Sequence, residues 1–198
     1  MRKVIVNEFM SLDGVVQAPG GEEEDPSGGF SHGGWHMPYM QDEQAQQWAL
    51  GSIVEAGAFL LGRRTYDIFA AYWPNASEEE QVIAEPLNTK PKYVTSTSGE
   101  PLEWQNSALL EGDLAEAVRA LKQEDGGDVH AIGSSELVQT LIEQDLVDEL
   151  RIMLDPLLLG GGKRAFPEDG QLRELRLVDS QVTSTGAIMA TYRRPEAT

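Results

Sequence analysis

The chain has 198 residues, with 33 acidic against 15 basic side chains and a formal charge of −18. That length buries about 70% of an unfolded chain's surface, while the charge repels nucleic acid and anionic membranes, so an anionic ligand needs a local positive seat. No cysteine is present, which excludes thiol catalysis, cysteine-ligated metals and disulfides.

The N-terminal MRKVIVNEFMSLDG carries two basic residues, but Asn7 and Glu8 interrupt its apolar stretch and deny it the core of a signal peptide. No apolar run elsewhere approaches the roughly 20 residues of a membrane span, and a cytoplasmic location is expected. Residues 3–9 are β-branched and partly alternating, which predicts a strand turning at Asp13 and Gly14 toward Val15 and Val16. Residues 17–38, rich in Gly, Pro and acids, read as a long loop of the functional or disordered kind. Its run Glu22–Asp25 reads as solvated surface.

Residues 42–56 place Ala45, Trp48, Ala49, Ile53 and Ala56 at helical spacing behind an acidic first turn. A short apolar run, 58–61, then leads through Gly62 into a second helical pattern, with Tyr66, Phe69, Ala70 and Trp73 ending at Pro74. Further along, 92–96 reads as a strand, 113–124 as a helix behind an acidic cap, 128–132 as a strand, and the segment after Gly133 as a helix with Leu137, Leu141 and Ile142 on one stripe. Residues 150–154 are strand-like, 157–167 form a loop, and 175–182 with 187–192 predict an antiparallel pair around Gly186. Alternating strands and helices predict an α/β sandwich with a mainly parallel sheet and an antiparallel edge.

Two strand-Gly-helix junctions draw attention, Gly62-Arg63-Arg64-Thr65 and Gly133-Ser134-Ser135-Glu136. A helix N-terminus offers unpaired N–H groups and about half a positive charge, so each junction is a seat for phosphate. The plainer reading is that Ser134 caps its helix and Arg63 faces water. LLLGGGKR fails as a P-loop, because Leu157 replaces the first Gly and Arg164 follows the Lys. Its Gly160-x-Gly162-x-x-Ala165 lacks a following helix, since Pro167 and Gly170 intervene. His32 and His36 are four apart, yet Gly33 and Gly34 deny them a shared helix face, so no metal site is expected. His130 reads as a core residue and Trp48 likewise. Trp35 reads equally as a packing residue or, with Tyr39, as a pocket wall.

In this order, VNEFMSLDGVV, FLLGRRTYDIFAAYWP, KYVTS, DVHAIGSSELVQTLI and ELRIMLDPLLLGGGKRAF resemble the dihydrofolate reductase-like superfamily. The chain is most similar to the reductase domain of bifunctional riboflavin-biosynthesis deaminase-reductases and their stand-alone bacterial relatives. The resemblance implies one three-layer sandwich domain over 1–198, with NADPH across the C-terminal edge of a mostly parallel sheet. It implies that Gly62, Arg63, Arg64 and Thr65 contact the cofactor's phosphates, that Thr95 and Ser96 lie beside the adenosine, and that Gly133, Ser134, Ser135 and Glu136 sit under the pyrophosphate. Ser11, Leu12, Asp13 and Gly14 would form the loop between nicotinamide and substrate, with Asp13, Trp35 and Tyr39 as catalytic residues on the substrate side. A guanidinium grips a 2′-phosphate bidentately, which favours NADPH over NADH.

The implied activity is hydride transfer to a small heterocyclic or carbonyl acceptor, related to reduction of 5-amino-6-(5-phosphoribosylamino)uracil, by a homodimer. Folate-reducing members carry an acid soon after a Met-Pro-aromatic element. Here, after Met37-Pro38-Tyr39, ungapped alignment places Gln44 there. A cysteine-free chain also lacks the zinc deaminase motif. The alternatives are a non-catalytic nucleotide-binding or interaction protein that keeps the fold, or a true dihydrofolate reductase.

Overall fold

The computed structural model describes residues 1–195, and the last three residues of the expected domain lie outside the described ones. In chain order the elements are β1 (Val4–Ser11), α1 (Glu43–Val54), β2 (Ala58–Gly62), α2 (Arg63–Tyr72), α3 (Gln81–Thr89), β3 (Lys92–Thr95), β4 (Ser107–Leu109), α4 (Leu114–Gln123), β5 (Val129–Ile132), α5 (Ser135–Glu143), β6 (Glu149–Asp155), β7 (Arg176–Val182) and β8 (Ile188–Arg193). The strands form one eight-stranded sheet in the order β4-β3-β2-β5-β1-β6-β8-β7. Pairings among β1 to β6 are parallel, and β8 and β7 add antiparallel at one edge. The expected α/β class and its antiparallel edge are what the structure has.

β1 lies at the centre and reads VIVNEFMS without clean alternation because both its faces are covered. Val4, Val6 and Met10 pack with Val118, Leu121, Val138 and Leu141 of α4 and α5. On the opposite face, Phe59 and Leu61 of β2 meet Ile53 of α1, Tyr66 of α2 and Leu87 of α3. Phe9 joins Ala45, Trp48, Met153 and Met189 there. Each fully buried Leu or Phe in these layers contributes about 2 kcal/mol.

Two elements escaped the sequence pattern. Pro86 stands inside α3, where a mid-helix proline argues against a helix, and β4 is three residues long with two of them exposed. The acidic run of the long loop needs a correction. Glu22 and Glu23 are exposed as expected, but Asp25 is buried at 8% exposure and ion-paired.

The strand lengths open the site. β1 pairs with β5 only as far as Asn7↔Ile132, whereas its pairing with β6 continues to Ser11↔Asp155. The last four residues of β1 therefore outrun β5, and the Gly133 turn begins where β5 stops.

Candidate active site

β2 and β5 are neighbours, so the helix-starting turns at their C-terminal ends, 71 residues apart in sequence by position (133 minus 62), are brought into contact. The Gly62 N–H donates to Ser134 Oγ at 2.9 Å, and the Ser134 hydroxyl donates to Thr65 Oγ1 at 2.6 Å. A Cβ on Gly62 would meet Ser134 Oγ at 2.7 Å, so the close approach needs glycine. Gly133 has φ +60° and Ser134 φ +67°, both left-handed. This conformation turns the Ser134 side chain toward α2, and it makes no capping hydrogen bond to α5. Gly62 gives α2 no side-chain cap either. By contrast, Asp42 caps α1 through the amides of Gln44 and Ala45, and Asp113 caps α4 through that of Glu116. Ser134 is thus a tie between the two turns, and the first amides of α2 and α5 remain open to an anion.

The two arginines diverge. Arg63 is held by Asp67 at 2.8 Å, by the Glu100 carboxylate at 3.2 Å, and by the Glu100 carbonyl and the Ser98 hydroxyl. Ser98 in turn shares a 3.0 Å hydrogen bond with Ser96, just past Thr95 at the end of β3. Arg64 points the other way, to Asp25 and to Ser27 Oγ at 2.7 Å. Asp25 also accepts from Lys163 Nζ at 2.6 Å and from the Ser27 hydroxyl. Burial alone would raise the Asp25 carboxyl, but Lys163 and Ser27 hold it down to about 2. Asp25 therefore fastens the long loop to both α2 and the glycine-rich 157–163 segment. Glu136 is exposed in the first turn of α5.

The expected substrate-side residues take different places. Asp13 accepts the Ser11 hydroxyl at 2.6 Å and the amides of Gly160 and Leu159 at 2.8 and 3.2 Å. Led by the Ser11 bond, these hold it down to about 2, so it acts as a loop anchor and stays ionised. Trp35 is buried, and its indole N–H donates to the Gln17 carbonyl at 2.7 Å, which favours packing over a pocket wall. Tyr39 packs partly buried against the cluster that includes Phe9 and Trp48.

What the sequence did not show is the residue between them. His36 is 1% exposed, its Nδ1 lies 2.7 Å from Asp155 Oδ2 at the end of β6, and its ring stacks on Phe9 with centroids 3.8 Å apart. Burial raises the Asp155 carboxyl, with His36 pulling it back. Among the described residues, five buried side-chain polar atoms lack a hydrogen-bond partner, and four of them are Asn7 Oδ1, Glu8 Oε1, His36 Nε2 and Asp155 Oδ1. All four belong to β1, to the strand beside it, or to the ring stacked upon it. Burial lifts Glu8 to about 8, so this acid is largely neutral at pH 7. Native folds rarely leave such atoms unpaired; three of them, on Asn7, His36 and Asp155, share the Phe9 face of β1 and suit a guest there, while Glu8 lies on the opposite face. The only sequence signal was Asn7-Glu8 within a strand otherwise fit for burial.

A central parallel sheet with an antiparallel edge, carrying paired glycine turns at its C-terminal ends, is the dihydrofolate reductase-like architecture. Residues 2–189 match the RibD C-terminal domain, and the chain belongs to that family. It is 26% identical over 197 residues to the uncharacterized protein YyaP of Bacillus subtilis (strain 168), covering 96% of this chain and 94% of YyaP. Among solved structures, a Shewanella sp. PV-4 protein named for riboflavin biosynthesis superposes with TM-score 0.66 at 20% identity, covering 98% and 99% of the two chains. The dihydrofolate reductase of Enterococcus faecalis, complexed with NADP(H) and RAB-propyl, gives 0.61 at 15%, covering 98% and 97%.

Proposed function

We propose that the chain, acting as one domain, is an NADPH-dependent reductase of a small heterocyclic or carbonyl acceptor. The observation that carries this reading is the pair of touching, uncapped helix starts at Gly62 and Gly133, in a family whose fold neighbours include an NADP(H) complex. The residues fit a dinucleotide. The open amides of α2 and α5 and the Thr65 hydroxyl, held in place by the Ser134 bond, suit a pyrophosphate, and Arg63, beside Ser96 and Ser98, suits a 2′-phosphate at the adenosine end. When bound, the cofactor would supply the hydride.

The protein's own part is positioning. Asp13 pins the 11–14 turn to the amides of Leu159 and Gly160, which fixes the loop where nicotinamide and acceptor would meet. Gln44, at the position aligned with the folate acid, is exposed, and neighbouring Asp42 is spent capping α1 and binding Ser184. This argues against folate as the acceptor.

All seven residues of β7 are exposed, Leu177, Val178 and Val182 among them, which supports a homodimer formed over that edge. Among the described residues no helix is long and apolar enough to cross a membrane.

The test is NADPH oxidation against a panel of pyrimidine, pterin, cyclic imine and carbonyl acceptors, with Arg63→Ala alongside. The reading predicts turnover with at least one acceptor, and at least a 10-fold loss of preference for NADPH over NADH in the variant. NADPH binding with no acceptor reduced across the panel would favour the non-catalytic alternative.

A further inference from the structure

We propose that His36, oriented by Asp155, is the proton donor that completes reduction of the acceptor. This rests on the reductase reading above. A hydride adds to carbon, and the heteroatom of a C=N or C=O acceptor must then gain a proton. The position aligned with the folate acid holds exposed Gln44, and Asp13 is locked as an anion by one hydroxyl and two amides. His36 meets the need from a different element. Asp155 Oδ2 takes Nδ1–H at 2.7 Å, Phe9 fixes the ring plane from below, and Nε2 is left buried with nothing to bond.

A carboxylate behind Nδ1 sets the ring so that Nε2 points at whatever fills the space. Asn7 Oδ1, also unpartnered, lies on the same face of β1 and suits an N–H of the same acceptor. The acceptor class is therefore a polar ring bearing an imine or carbonyl with an adjacent N–H, and not a simple apolar ketone. When bound, NADPH would supply the hydride to the acceptor carbon and leave as NADP⁺, and the C=N or C=O π pair would take the proton from Nε2, which neutral His36 would regain from solvent. Since His36 is 1% exposed, the 17–38 segment that carries it must shift to admit the acceptor.

Two readouts test this. The first is the nitrogen-15 spectrum of His36 in the whole protein with NADPH bound, between about pH 5 and 9. The charged groups on this face are Asp155, Glu149 and Arg151 of β6, Arg193 of β8, Asp42 at the start of α1 and Glu55 after it, while His130 of β5 is kept neutral by burial and Tyr39 precedes α1. The expected result is an imidazolium at His36 whose Nδ1–H is hydrogen-bonded to Asp155, a signature lost in Asp155→Asn. A ring that stays neutral throughout overturns the proposal. The second readout is turnover with an acceptor from the panel. His36→Gln should cut kcat by about 100-fold with NADPH affinity within twofold of wild type. Turnover within twofold of wild type overturns the proposal. If His36→Gln does not fold, Asp155→Asn is read instead, and an unchanged pH–rate profile in it overturns the assignment. Failure of wild type to bind NADPH sinks the reductase reading itself, a result distinct from each of these.

Discussion

The two ends of the parallel sheet are built to opposite rules. At the N-terminal end, Asp148 accepts the Val4 amide at 2.7 Å and Lys122 at 2.6 Å, Asp128 accepts the Lys3 amide at 2.8 Å, and Arg2 donates to the Gly127 carbonyl at 2.6 Å. Even buried Lys92 is satisfied there, by carbonyls at the end of α3 and by the Trp104 ring at 4.3 Å. At the C-terminal end two helices start uncapped, and Asn7, Glu8, His36 and Asp155 each keep a buried atom unpaired. Among the described residues the N-terminal end leaves only Ser107 Oγ of β4 unpaired, so the unsatisfied atoms concentrate at the end proposed to hold a ligand.

The contrast can be broken by substitution. The largest effect is expected at Glu8, whose folded pKa of about 8 lies above the ordinary 4.5. The folded state holds this proton while the unfolded chain releases it, so Glu8 costs stability progressively as pH rises from about 4.5 to 8. Glu8→Gln removes that slope, and denaturant melts at about pH 8 should show the variant gaining on the order of 4 kcal/mol over its deficit or excess at about pH 5. Parallel curves for the two proteins would refute the buried, neutral acid.

Next in size is Gly62→Val, which drives a branched side chain into Ser134, whose Oγ would lie 2.7 Å from the new Cβ. NADPH affinity should fall by about 100-fold or more, with a stability loss of about 1–3 kcal/mol. Asp148→Ala, at the satisfied end, should cost about 1–2 kcal/mol of stability and leave NADPH affinity unchanged, as measured by melts and titration of the same samples. The smallest change is expected from Asp25→Asn. It frees Arg64 and Lys163 from a held carboxylate, so NADPH binding should tighten about threefold at low salt and converge on wild type as salt screens the cations.

Most of the frame was legible because hydrophobic period is a local property: β1, β2, α2, α4, β5 and the closing hairpin were each read from their own residues. α3 was hidden by Pro86, and β4 by its shortness. The two glycine turns were visible as turns, but their contact was not, since the Gly62–Ser134 bond depends on β2 lying beside β5. For the same reason the capping reading of Ser134 was as good as the ligand reading until its left-handed backbone turned the hydroxyl away from α5. His36 was weighed only against His32, four residues off. Its partner, Asp155, is 119 residues away on a strand that the sheet, not the sequence, brings near. Asp25 looked like solvated acid because its two cations come from distant segments.

The central claim, that the paired turns seat a phosphorylated dinucleotide, is tested most directly by calorimetric titration of the wild-type protein with NADPH and with NADH at moderate ionic strength. The account predicts one site per chain, at least 10-fold tighter for NADPH, with the difference shrinking as salt is raised. No heat of binding with either nucleotide would contradict it.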